Sequence, residues 1–441
     1  MRTNDLTQGV IFKKLIIFSL PMIAGNLLQQ IYNLTDTLIV GRCISSDALA
    51  AVGSVYTLMN FITSIIIGLC MGSGAFFSED YGCRDNHRLQ LDIVYSFFFI
   101  GGVTILIYAI IYPGMDVILR ILQTPDDLFV MTKQYVFVVF SGVIFIFLYN
   151  FFAFVLRAMG NSLVPLVFLS ISTIVNILLD ITFVVGCKMG VSGAALATVI
   201  AQAIAGVGLC VYSFIKVPQV RLSLKDINWS FERIRTIIAG DIATGIQQSV
   251  MNFGILMIQA LINSFGTVVM ASFAAAVKID TLAYMPAQEF GNAYSLFISQ
   301  NFGAGKKDRI KEGTKIAFII STIFCLVISV IIFVTAELLM SIFIDTAQIE
   351  IIAEGSRYLR IEGAMYVGIG ILFLWYGYFR GVARPQISLV LTIISLGTRV
   401  ALSYILAPHT YLGVVAIWLS IPIGWILADI AGFVFYRKYN R

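Results

Sequence analysis

The sequence predicts an all-α polytopic membrane protein: twelve transmembrane helices in two parallel six-helix lobes related by a pseudo-two-fold axis along the membrane normal. Three observations carry this. Of 441 residues, 59% are hydrophobic and only 12% charged, with a mean hydropathy of +0.93, whereas an ordinary globular chain is about one quarter charged. Apolar runs of about 20 residues, the length that crosses a bilayer, recur along the chain. None alternates with period two, which argues against a β-barrel. Finally, landmarks of the first half return in the second.

Spans are expected near 11–40, 48–78, 91–122, 129–157, 163–187 and 191–216, then near 237–264, 270–301, 313–343, 354–381, 386–407 and 411–436. The polar stretch between the two sets divides the chain into an N-terminal lobe 1–216, a cytoplasmic linker 217–236 and a C-terminal lobe 237–441. Within the linker, Asn228 to Arg235 suits either a helix along the membrane surface or a solvated loop. The repeat sets Leu20-Pro-Met-Ile-Ala-Gly-Asn-Leu-Leu-Gln-Gln against Ala239-Gly-Asp-Ile-Ala-Thr-Gly-Ile-Gln-Gln. It also sets Leu156-Arg-Ala-Met-Gly against Phe379-Arg-Gly-Val-Ala, Pro165 against Pro385, and Gly193 against Gly413, all at an offset near half the chain. Six spans is an even number, so both halves enter the membrane in the same direction, as parallel repeats do.

Lys and Arg cluster in alternate connections: Lys13 and Lys14, Arg84 and Arg88, Lys216 to Arg235, Lys306 to Lys315, and Arg437 to Arg441. By the positive-inside rule these segments face the cytoplasm, with both termini inside the cell (inner) membrane. The N-terminus reads as lacking a removable signal peptide. The pI of 8.8 comes from these loops and does not suggest nucleic acid. The six cysteines form no CxxC pair, and the two histidines, His87 and His409, fall in loops. No Walker A motif, HExxH or Ser/His/Asp arrangement occurs, so the chain reads as a non-enzyme without a cofactor. Protons inside the membrane would be handled by carboxylates.

The acids inside spans are Asp36, Asp180 and Glu289 and, nearer span ends, Asp280, Glu362 and Asp429. An intramembrane acid costs at least roughly 2.5–3.5 kcal/mol, which marks it as functional by default. Tyr32 and Asp36 are four residues apart on the first span, and Asn176 and Asp180 are four apart on the fifth, so each pair shares a helix face. Thr198 lies among small residues in the sixth span, where helices can approach closely. If these side chains share a pocket, two carboxylates at close range can hold one proton between them. Alternatively, Asp36, Asn176, Asp180 and Thr198 can coordinate a hard cation such as Na+ through oxygen. The other possibility is that each acid has an unrelated partner and simply ties helices together.

In the second half, the polar residues of the seventh span are Gln247, Gln248 and Asn252, and no acid is read into it. The eighth span carries Gln288 and Glu289, loosened by Pro286 and Gly291, and Arg399 of the eleventh span is a candidate partner for Glu289. With Gln248, Asn252, Met59 and Met285, Gln288 and Glu289 are candidates for an adaptable substrate cleft.

These motifs together resemble the multidrug and toxic-compound extrusion (MATE) transporters. The resemblance rests on Ser19-Leu-Pro, Asp36-Thr-Leu-Ile-Val-Gly, Ala48-Leu-Ala-Ala-Val-Gly, Leu156-Arg-Ala-Met-Gly, Asn176-Ile-Leu-Leu-Asp, Gly193-Ala-Ala-Leu-Ala-Thr, Met285-Pro-Ala-Gln and Gln300-Asn-Phe-Gly-Ala-Gly. It implies a twelve-helix, alternating-access antiporter that exports organic and often cationic compounds against protons or sodium ions; small-molecule substrates, the lipid bilayer and a monomeric state are the expected partners and assembly. It also implies an ion site at Asp36, Asn176, Asp180 and Thr198, with Tyr32 and Asn150 as neighbours, and a bend of the first helix at Pro21. One departure stands out. A sodium-linked subgroup has acids in its seventh and tenth helices, whereas here only Glu362 is read there, near the outer end, which favours coupling in the first lobe. A lipid-linked sugar flippase of the wider superfamily is the alternative, and it would need a cleft rich in Arg and Lys. A membrane-embedded enzyme is a more distant one.

Overall fold

Within a bilayer, backbone N–H and C=O groups must be paired internally, and these long apolar runs do so as helices. A computed structural model of the chain describes residues 5–121, 124–221 and 230–439, and no strand occurs among them. Fifteen α-helices are seen: α1 Ile11–Cys43, α2 Ser46–Cys83, α3 Asn86–Ile111, α4 Met115–Ile121, α5 Asp126–Ser141, α6 Val143–Ala158, α7 Leu163–Asp180, α8 Gly190–Lys216, α9 Phe231–Asn263, α10 Thr267–Gly303, α11 Lys307–Phe343, α12 Ile349–Gly363, α13 Tyr366–Gly381, α14 Pro385–Leu406 and α15 Val414–Tyr439. Eleven stretches are long and apolar enough to cross a membrane, and α12 with α13, bent by 52°, forms a twelfth.

Local chemistry sets the helix ends. Ser45 Oγ accepts from the Ala48 N–H, and the Asp85 carboxylate accepts from the Arg88 N–H, so each satisfies an orphan donor at a helix start. Gly142 separates α5 from α6, and a π-helical turn, Ile181–Gly186, follows α7. α9 begins at Phe231, earlier than the expected 237, because Ile234 and Ile237 pack against Phe76 and Tyr95. Asn228 and Trp229, the start of the expected membrane-surface segment, lie outside the described residues.

By packing, the chain divides into two compact units. The first holds most of the described residues between 20 and 245, and the second holds 6–19 together with 246 onward. Two helices contribute to both units: α1 divides after Ser19, next to Pro21, and α9 divides after Gly245. In the first unit, α2, α3, α5, α6 and α8 pack together around Phe77, Phe147, Phe151 and Phe152. A Cβ on Gly206 of α8 would lie 2.5 Å from the Phe145 carbonyl oxygen, so this α6–α8 contact requires glycine. In the second unit, α10 lies along α13 and α14 along α15. There Gly377 plays the same part, with its hypothetical Cβ 2.5 Å from the Gly291 carbonyl oxygen.

Candidate functional site

Three helices of the first unit bring polar side chains together inside the span region. α1 runs unbroken past Pro21 and carries Tyr32 and Asp36 one turn apart. Asp36 is 9% exposed, and its Oδ1 has no hydrogen-bond partner. α7 carries Asn176 and Asp180, both fully buried, and neither the amide atoms of the first nor the carboxylate oxygens of the second are hydrogen-bonded. α8 carries Thr198, buried, with its Oγ1 likewise unpartnered. Tyr32 sits beside Thr198 in the field of both acids, and Asp180 experiences the charge of Asp36. Asp180 thus lies within the field of Asp36, and Tyr32 within that of both.

Buried polar atoms in proteins are almost always paired, and leaving one unpaired costs about 1–3 kcal/mol, more for a charge. Here a carboxylate oxygen of Asp36, both of Asp180, the amide of Asn176 and the hydroxyl of Thr198 are buried without partners on three helices. This donor set of two carboxylates, an amide oxygen and a hydroxyl fits a small hard cation or a shared proton. No group of three or more His, Cys, Asp or Glu side chains suited to a metal ion occurs among the described residues. The donor set itself contains no thiol or imidazole, the ligands that soft and borderline transition metals prefer. The π-helical turn directly after Asp180 is a local irregularity of the kind found at functional sites.

Beside this cluster is a cavity of ≈ 200 Å³ bounded by α1, α2, α5, α6, α7 and α8. Tyr32, Asp36, Met59, Asn150 and Thr198 line it. Asn150 Nδ2 donates to the Ile146 carbonyl at 2.9 Å. Ser172 and Thr173 of α7 also line it, and Asn176 and Asp180 continue the same helix face one and two turns further on. Sequence reasoning missed Tyr135, Gln202 and Asn60. Tyr135 lines the cavity in the field of Asp36, Tyr32 and Asp180. Gln202 follows Thr198 by one turn, a spacing that could have flagged it, and its Oε1 is also unpartnered.

The remaining cleft candidates belong to the second unit. Asn252 Nδ2 donates to the Gln248 carbonyl within α9, Met285 is buried, and Gln288 is half-buried. Glu289 accepts from Asn292 Nδ2 at 3.2 Å and lies within the influence of Arg380, which donates to Asn292 Oδ1 and Ser295 Oγ, both at 3.0 Å. The expected Glu289–Arg399 pairing is corrected. Arg399 instead acts on Asp280 and Glu362. Asp280 and Glu289 are nine residues apart on α10, about 13 Å along its axis and on opposite faces, so one guanidinium cannot serve both. The reading of an acid-free seventh span is also corrected: Asp241 of α9 is fully buried and accepts from Ser73 Oγ at 2.6 Å.

Comparison with known proteins adds an independent line. The family model MatE matches residues 21–182 and 243–405. The chain is 30% identical over 442 residues to the probable multidrug resistance protein YpnP of Bacillus subtilis (strain 168), covering 100% of this chain and 98% of that protein. It is 26% identical to the probable multidrug resistance protein YoeA of the same organism, covering 99% and 95%. Among solved structures, one titled "Outward-facing conformation of a multidrug resistance MATE family transporter of the MOP superfamily" superposes with a TM-score of 0.93 at 23% identity, covering 100% of this chain and 98% of that one.

Proposed function

The chain belongs to the MATE family of membrane transporters, and from that premise we propose that it exports organic, cationic multidrug-type compounds in exchange for a proton or sodium ion bound among Asp36, Asn176, Asp180 and Thr198. It is a transporter and not an enzyme. The observation that supports this site best is the set of unpartnered buried oxygens on three helices, two of whose side chains, Asp36 and Thr198, line one cavity. Tyr32 and Asn150 stand beside the ion, and Met59 gives the cavity an adaptable apolar wall.

Coupling follows from charge. Without an ion, two buried acids repel each other and draw a cationic substrate. Binding one proton or sodium ion cancels part of that charge and pulls α1, α7 and α8 toward a common centre. Proline removes one backbone hydrogen bond from α1 at Pro21, so that helix can repack there at low cost. A conformational change releases substrate only if the two states differ in their affinity for it. Ion binding supplies that difference. A phosphate-handling flippase is disfavoured, because the residues lining the cavity include no Lys or Arg. We place the chain in the cell membrane as a monomer with both termini cytoplasmic, in keeping with its charge distribution.

The test is export of fluorescent organic cations from proteoliposomes, with pH and sodium gradients imposed separately. One gradient is expected to drive export in the wild type. Asp36→Asn and Asp180→Asn are each expected to lower gradient-driven export at least about tenfold, the effect of about 1.4 kcal/mol of coupling energy. Undiminished export by both variants would sink the proposal.

A further inference from the structure

The second unit carries a concentration of positive charge where α11 begins. Lys307, Lys311 and Lys315 follow one another at one-turn spacing on α11, and Ile319 and Ile323 continue the same ridge. All five side chains are exposed, the two isoleucines to 49% and 58%. From Ile316 to Ala336 there are 21 residues without a charge. At 1.5 Å per residue this stretch spans about 31 Å, which matches the hydrocarbon core of a bilayer. Lys315 therefore stands at the edge of that core. Lys311 lies about 6 Å further out, inside a headgroup layer roughly 5–8 Å deep.

The beginning of the chain is fastened to the same corner. Leu6 is fully buried; its N–H donates to Gln300 Oε1 at 3.0 Å, and its carbonyl accepts from Asn301 Nδ2 at 3.3 Å. Lys306 donates to the Thr7 carbonyl at 2.8 Å, and Arg309 donates to the carbonyls of Gln8 and Gly9 at 3.1 and 2.8 Å. The strap held in this way brings Lys13, exposed on the first turn of α1, to this corner. Lys306 bonds to a neutral carbonyl, which leaves its charge in place. The acids beside the ridge on α11 are Asp308 and Glu312. Among the described residues, none of the three ridge lysines forms an ion pair. Arg88 and Arg233, in basic connections of the first unit, by contrast bind carboxylates.

We propose that this corner binds the headgroup of an anionic phospholipid, its phosphate held by Lys311 and Lys315 and its acyl chains lying along Ile319 and Ile323. Such a lipid offers phosphate at the depth of the two lysines and hydrocarbon at the depth of the two isoleucines. A soluble anion would match the first but not the second. Lys13, Lys306 and Lys307 add attraction from the water side. The site depends only on α11 crossing the membrane, and not on which ion drives export.

The test titrates phosphatidylglycerol or phosphatidylcholine into the full-length protein in an uncharged detergent. Native mass spectrometry counts bound lipids, and thermal unfolding gives a second readout. Phosphatidylglycerol is expected to bind at least about tenfold more tightly than phosphatidylcholine and to raise the melting temperature more. Lys311→Gln combined with Lys315→Gln is expected to weaken phosphatidylglycerol binding about 25-fold, about fivefold for each lysine. Lys311→Arg combined with Lys315→Arg keeps both charges and is expected to keep the preference, which separates loss of charge from a folding defect. Equal binding of the two lipids by the wild type would overturn the proposal. So would undiminished phosphatidylglycerol binding by the glutamine variant, or equal protection by glycerol phosphate, which has no acyl chains.

Discussion

Asp36 and Asp180 stand out in the sequence for the reason that supports the proposed ion site: a carboxylate in an apolar run is costly unless something binds it. Asn176 and Thr198 were legible with them, through a one-turn spacing and a setting of small residues. Neutral neighbours were not. Tyr135 and Gln202 are ordinary in spans rich in aromatics, and only packing shows that they share the wall. Partners across helices were hidden for a related reason. Spacing along one helix fixes which residues share a face, but not which neighbouring helix that face meets. Sequence therefore offers Arg399 as a candidate partner for Glu289, whereas its charge acts on Asp280 and Glu362. At this scale, Thr198→Val removes one oxygen from the ion site while preserving shape. It is expected to raise the ion concentration for half-maximal export about tenfold, in line with about 1.4 kcal/mol for one charge-assisted contact. Thr198→Ser restores the hydroxyl and is expected to restore most of that affinity, and an ion titration of transport reads both.

The existence of each span was legible from hydropathy, but irregularities within the spans were not. The 52° bend between α12 and α13, the break at Gly142 and the π-helical turn after Asp180 depend on packing that hydropathy does not encode. The start of α9 shows a charged counterpart. Arg233 binds Asp80 of α2 and Asp92 of α3, two fully buried carboxylates, and its guanidinium lies over Phe76. Arg88 shares Asp80 at 2.8 Å. In the sequence these residues look like surface charges of polar connections. Arg233→Ala leaves Asp92 buried and unpaired, and is expected to destabilise the protein by about 3–5 kcal/mol, read as a lower melting temperature in thermal unfolding. Arg233→Lys keeps the charge but loses the two-pronged contact, and is expected to fall between the wild type and Arg233→Ala. Equal stability of all three proteins would show that the clamp contributes nothing.

At the scale of the molecule, the internal repeat made the twelve-span architecture legible, and the family model matches in two blocks that fall on the two halves. The halves have diverged in their polar cores. The first unit holds unpartnered buried oxygens beside a cavity, whereas the second holds two buried acids, Asp280 and Glu362, the first of them accepting from Tyr358 and Tyr366. The aligned glycine-glutamine motifs could not show this, because the differences lie in single residues between conserved-looking landmarks. In the proposed exchange the acids of the first unit are necessary for coupling, and they strengthen substrate binding without being essential to it. The most direct measurement compares two assays on one proteoliposome preparation of Asp36→Asn with Asp180→Asn: substrate counterflow without any ion gradient, and accumulation driven by a gradient. Counterflow is expected to persist but to need a higher substrate concentration, because the neutral amides mimic the ion-bound, weakly binding state, while gradient-driven accumulation is lost. Accumulation at the wild-type level in that variant would contradict the account.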